Sequence, residues 1–275
     1  VSFYFLAIVS QKLPLSIGIL SWKGYDSLRN SLLSYKKNGL NSLTDHKYIC
    51  LPEYTQKGID LSEKFGYRPI LFKKNIGILN GFKELAKKMP EGPLLLLEND
   101  LQLIEGRKET FNQLNQSIKF LYKNKISQIR LRSIKEPGEP FHGIDKYNRY
   151  WEENFFSKFR RTFRPFKARK LIGTSVYVEE KPHLKHPKYI FYMSKGFYSL
   201  STKVINWSNL AILVDKNFFL NVIIKEAENT ERKNKVNGFK NIEIELNKSW
   251  WREQNWKIII SPGLFSHVRL SDRGY

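Results

Sequence analysis

Pro93-Leu94-Leu95-Leu96-Leu97-Glu98-Asn99-Asp100 is the stretch that decides the fold of this 275-residue chain. Its four consecutive leucines are the most apolar run in the sequence, too short for a helix and bounded by a proline and an acidic turn, which suits a strand buried on both faces. Such a strand belongs at the centre of a parallel sheet covered by helices on either side. Glu98 and Asp100 then fall just past its carboxyl end, where open α/β sheets bind their ligands. Carboxylates there need partners, either Lys or Arg or a hard divalent ion shared with a diphosphate.

Working outward, the same alternation recurs towards residue 15. Short apolar runs at 15–20, 47–51 and 68–72 read as strands, and segments 25–37, 56–65 and 78–89 carry helical spacing. In the first helix Leu28, Leu32, Leu33 and Tyr35 recur at near-helical intervals, Asp26 is placed to cap the start, and Asn38-Gly39 supplies the stop. Strand-helix alternation implies right-handed crossovers and a doubly wound, mostly parallel sheet. Neither a glycine-rich dinucleotide fingerprint nor a phosphate-binding P-loop follows the first strand, which argues against both of those nucleotide folds.

Lys and Arg number 47 against 26 Asp and Glu, a net charge of +21 that favours anionic partners. The excess is concentrated between residues 101 and 200, where 21 bases face 9 acids. Its densest part, 155–170, holds Lys158, Arg160, Arg161, Arg164, Lys167, Arg169 and Lys170 with no acid, interleaved with Phe155, Phe156, Phe159, Phe163 and Phe166. That run suits a loop over the sheet, solvated or gripping a phosphorylated, membrane-associated or single-stranded nucleic-acid ligand. Cys50 is the only cysteine, which excludes an intrachain disulfide or a CxxC zinc site and points to a reducing, cytoplasmic setting. The apolar start 1–9 is too short to cross a bilayer, and an anchor upstream of Val1 stays open.

Phe72-Lys-Lys-Asn75-Ile-Gly77-Ile-Leu-Asn80, a helix, and then Pro93 to Asp100 together resemble the nucleotide-sugar-binding half of GT-A glycosyltransferases, family 2-like enzymes above all. The order and spacing match best over 14–105, including Leu15-Ser-Ile-Gly-Ile-Leu-Ser-Trp22 as first strand. The resemblance implies a single catalytic domain over 1–275. Residues 14–105 would bind the nucleotide sugar, and 106–275 would form an acceptor-binding and catalytic half with a smaller mixed sheet.

Carried over residue by residue, it makes Asp100 a metal ligand with Glu98 in place of the usual first Asp, reaching either the metal, through water, or ribose. Ser21, Trp22, Glu53, Asn75, Gly77, Glu98 and Asn99 would line the nucleotide site, Gly77 because backbone approaches closely there. The implied cofactors are manganese or magnesium, and the implied donor is a nucleoside-diphosphate sugar, a uridine diphosphate sugar first among them. The acceptor would be a glycan or glycolipid hydroxyl.

Later elements are expected as a helix at 108–122, strands at 128–132, 171–179 and 189–193, and a helix at 217–228 with Phe218, Val222 and Ile223 inward. Inverting transfer requires a carboxylate base. Ala227-Glu228-Asn229 resembles the family's acidic motif, which ranks Glu228 first, Glu231 second and Asp215 third. The strand Ile258-Ile-Ile followed by His267 resembles the segment that completes the metal and diphosphate site, with Arg269 and Arg273 placed to neutralise phosphate. Peripheral membrane contact through 155–170 is a further expectation. The rival readings are a nucleotidyltransferase on a related sheet and a basic nucleic-acid-binding protein.

Overall fold

The computed structural model describes residues 11–123, 126–230 and 235–270. The apolar start, Glu231 and Arg273 lie outside the described residues. The expected mixed α/β architecture is present. Its first half runs β1 (Ser16–Leu20), α1 (Tyr25–Lys37), β2 (Lys47–Pro52), α2 (Gln56–Lys64), β3 (Arg68–Phe72), α3 (Gly77–Lys88) and β4 (Pro93–Glu98). These strands form a parallel core in the order β3-β2-β1-β4.

Beyond β4 come β5 (Leu101–Leu103), α4 (Arg107–Lys123), β6 (Gln128–Arg132), β7 (Gly138–Glu139), α5 (His142–Trp151), α6 (Phe155–Phe163), α7 (Pro165–Lys170) and α8 (Pro182–Lys185). The chain continues through β8 (Phe191–Tyr192), β9 (Tyr198–Ser201), β10 (Ile212–Asp215), α9 (Lys216–Phe218), α10 (Lys225–Asn229), α11 (Ile242–Leu246), α12 (Ser249–Glu253) and β11 (Lys257–Val268). The mixed half is not detached from the parallel core: β10 lies antiparallel between β4 and β6, and the order continues β6-β11-β9-β8 within one sheet.

Alternation along each strand divides the core between the two faces. Leu94 and Leu96 join Leu20, Phe82, Ile212 and Ile260 on one side, while Leu95 and Leu97 join Ile17, Leu28, Leu213 and Phe265 on the other. All four leucines of β4 are fully buried, as a strand covered on both faces requires.

Five expectations are corrected. Asp26 does not cap α1: Gly24 occupies the cap position and Asp26 lies in the first turn. Leu33 is exposed, because the buried stripe of α1 is Leu28, Ser31, Leu32 and Tyr35. Residues 172–177 form a 3₁₀ helix rather than a strand, and 155–170 form two helices rather than a loop. Finally, a π turn at Phe219–Ile224 widens the helix before α10, so Ile223 faces inward as expected but Phe219 and Ile224 join it in place of Phe218 and Val222.

Candidate functional site

Three strands meet at the carboxyl end of β4. The chain leaves Glu98, turns through Asn99 and Asp100 and enters β5, which pairs antiparallel with β11 so that Leu101 faces His267. On the other side of β11, β7 pairs with it and sets Gly138 opposite His267. Val268 donates its backbone N–H to the Asp100 carbonyl at 2.8 Å. This register places His267 Nε2 2.9 Å from Asp100 Oδ2, both side chains almost fully buried, with Arg269 Nε 3.7 Å from the same oxygen.

The turn itself is gripped by α1. Ser31 Oγ donates to the Asn99 carbonyl at 2.9 Å, the Tyr35 hydroxyl donates to the Leu101 carbonyl, and Asn38 Nδ2 donates to the Leu103 carbonyl at 2.7 Å. Ser34 Oγ accepts from Leu103 N at 2.9 Å. Positions 31, 34, 35 and 38 share one helical face, so a polar stripe satisfies backbone groups that the turn would otherwise leave unmet. Asn99 belongs to the same bracing: its Nδ2 donates to the Gly24 carbonyl at 3.0 Å, which ties the turn to the loop after β1.

Arg132 shapes the opposite wall. It donates to the Pro137 and Gly138 carbonyls at 2.6 and 2.7 Å and stacks over Phe141, 3.9 Å from the ring centroid. Gly138 has φ +72°, and a Cβ there would lie 2.1 Å from the His267 carbonyl oxygen, so only glycine lets β7 approach.

Asp100 Oδ1 and His267 Nδ1 are buried without a hydrogen-bond partner. Glu98 does not complete a metal cluster with them: among the described residues no three His, Cys, Asp or Glu side chains are grouped to hold an ion. The pleat explains this, since Glu98 continues the Leu94 and Leu96 face of β4 whereas Asp100 lies past the strand in the turn towards β11. Half-buried Glu98 is pushed up to about 8 by burial first, then by the Asp100 and Glu243 charges, with Arg269 opposing.

Glu243 is the acid that the sequence reading missed. It lies in the first turn of α11, where the Asn241 side chain accepts from its N–H at 2.8 Å and its own Oε1 accepts from Asn209 N at 2.8 Å. Its charge is felt by Glu98 and by buried Arg130. The available signal was Asn241-Ile-Glu243-Ile-Glu245, a capping residue leading a short acidic and apolar alternation.

The other expected acids sit elsewhere. Asp215 pairs in register with Pro93, at the far end of β4 from Glu98, and its Oδ1 caps α9 by accepting from Phe218 N at 3.0 Å. Five strand residues make that separation about 17 Å, so Asp215 cannot serve a ligand bound at Glu98. Glu228 forms an ion pair with Lys83 of α3.

Beside the carboxylates, Leu20, Trp22, Pro52, Asn75, Gly77 and Phe239 line a small, partly open cleft. Trp22 Nε1 donates to Glu53 Oε2 at 2.9 Å and Lys23 Nζ lies 3.3 Å from it, which holds the Glu53 carboxyl below its ordinary range. Ser21 is buried, with its backbone N–H donated to the Cys50 carbonyl. Asn75 Oδ1 accepts from Gly77 N at 2.9 Å, forming the turn into α3. Gly77 has φ +75°, and the atom crowding its missing Cβ is Phe239 Cβ at 2.4 Å, so the chain itself makes the close approach there.

No protein-family model matches the chain, and no curated protein matches it. Among solved structures, TarS of S. aureus, residues 1–349, matches with a TM-score of 0.48 and 10% identity over 93% of this chain and 60% of that one. A cytidylyltransferase from Leptospira borgpetersenii serovar Hardjo-bovis (strain JB197) matches with a TM-score of 0.34 and 13% identity over 42% of this chain and 53% of that one. This chain therefore aligns with little more than half the length of each.

Proposed function

We propose that the protein is a GT-A-type glycosyltransferase that moves a sugar from a nucleoside-diphosphate donor to an acceptor hydroxyl. The observation that carries this reading is the convergence of Asp100, His267 and Arg269 at the end of β4, next to an apolar cleft walled by Trp22, Asn75 and Gly77. The nucleotide base and ribose occupy the cleft, with Trp22 offering a ring face and Glu53 and Lys23 a polar edge. Arg269, half-exposed and aimed at the same point, binds diphosphate through its guanidinium.

Asp100, through its unpartnered Oδ1, with His267 beside it, would hold a manganese or magnesium ion. Such an ion supplies charge neutralisation for the departing diphosphate. Of the acids in the structure, Glu243 suits the base: its charge acts on Glu98, it is half-buried, and it is anchored through Asn209 and Asn241. It takes the proton from the acceptor hydroxyl as that oxygen bonds to the anomeric carbon, while the bond from that carbon to the diphosphate oxygen breaks and the nucleoside diphosphate leaves with the electron pair.

A panel of nucleotide sugars with manganese tests the reading. Release of nucleoside diphosphate, and a rise in melting temperature with manganese and nucleoside diphosphate that Asp100→Ala removes, are expected. Release of pyrophosphate from a nucleoside triphosphate and a sugar phosphate would instead make the protein a nucleotidyltransferase, and indifference to every nucleotide would sink both.

A further inference from the structure

The helices α6 and α7 present their large apolar side chains to solvent. Phe155, Phe156, Phe159, Phe163 and Phe166 are between 53% and 75% exposed. Phe155, Phe159 and Phe163 recur every fourth residue along α6, with successive ring centroids 6.5 and 4.3 Å apart, and Phe156 lies 5.9 Å from Phe155. A contiguous ridge of this kind is unusual on a protein surface that contacts only water.

The orientation is fixed by the inner side of the helices. Ser157 and Ala168 are the buried residues, small enough for close approach to α5. Ser157 N donates to the Asn154 cap at 2.8 Å, Ser157 Oγ donates to the Arg149 carbonyl at 3.1 Å, and Trp151 Nε1 donates to the Ala168 carbonyl at 3.1 Å. Arg160 and Arg161 tighten the same junction through the Arg149 and Tyr150 carbonyls. The phenylalanines are therefore held outward by specific bonds.

Charge identifies the occupant. Seven cations and no acid lie between 155 and 170, and none of the seven pairs with a carboxylate among the described residues. We infer that α6 and α7 form a docking surface for an anionic lipid bilayer, with the phenylalanine ridge entering the interfacial layer and Lys158, Arg164 and Lys167 lying against the headgroups. Phe156, Phe159, Phe163 and Phe166 also wall a broad concavity with Arg160 and Arg164. A bilayer fits better than single-stranded nucleic acid because four of the five rings are 68–75% exposed, as insertion into an interface requires, while Phe159 and Phe163 pack ring against ring at 4.3 Å and leave fewer free faces for bases. No described helix is long and apolar enough to cross a membrane, so the contact is interfacial. The inference rests on this surface and is independent of the transferase reading.

Co-sedimentation of the full chain tests it, using vesicles of phosphatidylglycerol and phosphatidylcholine in equal parts against phosphatidylcholine alone. Binding at least about tenfold tighter to the anionic vesicles, weakening as salt rises, is expected. The triple variant Phe155→Ser, Phe159→Ser, Phe163→Ser loses about tenfold or more of that affinity with an unchanged melting temperature. The pair Lys158→Gln, Arg164→Gln loses the preference for anionic lipid. Wild-type protein that stays in the supernatant with anionic vesicles overturns the inference. So does undiminished binding by the triple serine variant, and so does a single-stranded oligonucleotide that binds tighter than vesicles and is lost in that variant. Nucleoside diphosphate release with a water-soluble acceptor is unchanged in the triple variant, which separates this test from that of the catalytic site.

Discussion

His267 Nε2 and Asp100 Oδ2 meet at 2.9 Å across 167 residues of sequence. Replacing Asp100 by Asn keeps the volume and removes the charge that the buried imidazole and Arg269 share and that the proposed metal ion would use. Asp100→Asn is expected to fold and to lose about a hundredfold or more of transfer, with the manganese-dependent thermal shift gone. Full turnover by this variant, measured as nucleoside diphosphate release, would remove Asp100 from the site.

The two candidate bases make opposite demands. Glu243→Gln is expected to lower kcat by roughly 10²- to 10⁴-fold with little change in donor affinity. Glu228→Gln breaks only its ion pair with Lys83, so kcat holds within about twofold and stability falls by less than about 1 kcal/mol. Steady-state kinetics of both variants side by side decides the matter, and a collapse in Glu228→Gln alone would reverse the assignment.

Tyr35→Phe tests the polar stripe of α1. The variant leaves the Leu101 carbonyl without its buried donor, which costs about 1–3 kcal/mol and lowers the melting temperature by a few degrees. Because that carbonyl adjoins Asp100, the donor KM is expected to rise as well. Unchanged stability and unchanged KM would mean that water replaces the hydroxyl at no cost.

Gly77→Ala faces two obstacles, a positive φ and the Phe239 side chain. It is expected to destabilise by about 2 kcal/mol and to weaken nucleotide binding. Adding Phe239→Gly removes the colliding Cβ and leaves the backbone strain at residue 77, so the double variant regains part of the loss. Equal stability of the single and double variants would show that Phe239 does not control this turn.

His186 supplies a pH dependence away from the carboxyl end of β4. Burial, then the neighbouring Lys185 charge, lowers it from its usual 6.5 to about 4; Glu179 opposes and Arg161 reinforces, and the Tyr147 hydroxyl lies 3.0 Å from Nε2. The unfolded chain therefore binds the extra proton between pH 6.5 and 4 while the folded chain resists it. Stability held above pH 6.5 is lost as pH falls towards 4, by about 1–2 kcal/mol after allowance for partial solvent screening. Denaturant unfolding across this range, with His186→Gln as control, should show the slope in the native sequence and a flatter one in the variant.

The parallel half was legible because each of its elements is local. Four short apolar runs, Asn38-Gly39 as a stop and Pro93 as a strand opener place β1 to β4 within a residue or two of where they lie. Asp100 and His267 could be chosen as residues, but what joins them is the register of β5 and β7 on β11, a non-local pairing invisible to periodicity. The polar stripe of α1 escaped for the opposite reason: Ser31, Ser34 and Asn38 look solvated until their backbone acceptors are known. At α6 the apolar pattern was plain, yet hydrophobicity alone cannot tell an inward stripe from an outward one. Ser157 and Ala168 settle that direction by fitting where a phenylalanine cannot.

β11 pairs with β6, β9, β5 and β7, so four separate stretches of chain depend on one strand for their edges. On the ribosome, the turn at Asp100 emerges long before residues 257–268 exist, and it waits with a buried acid exposed to solvent. The pairing of Asp100 with His267 therefore forms only after the last strand has been made, and under the proposed function donor binding would wait on that late strand.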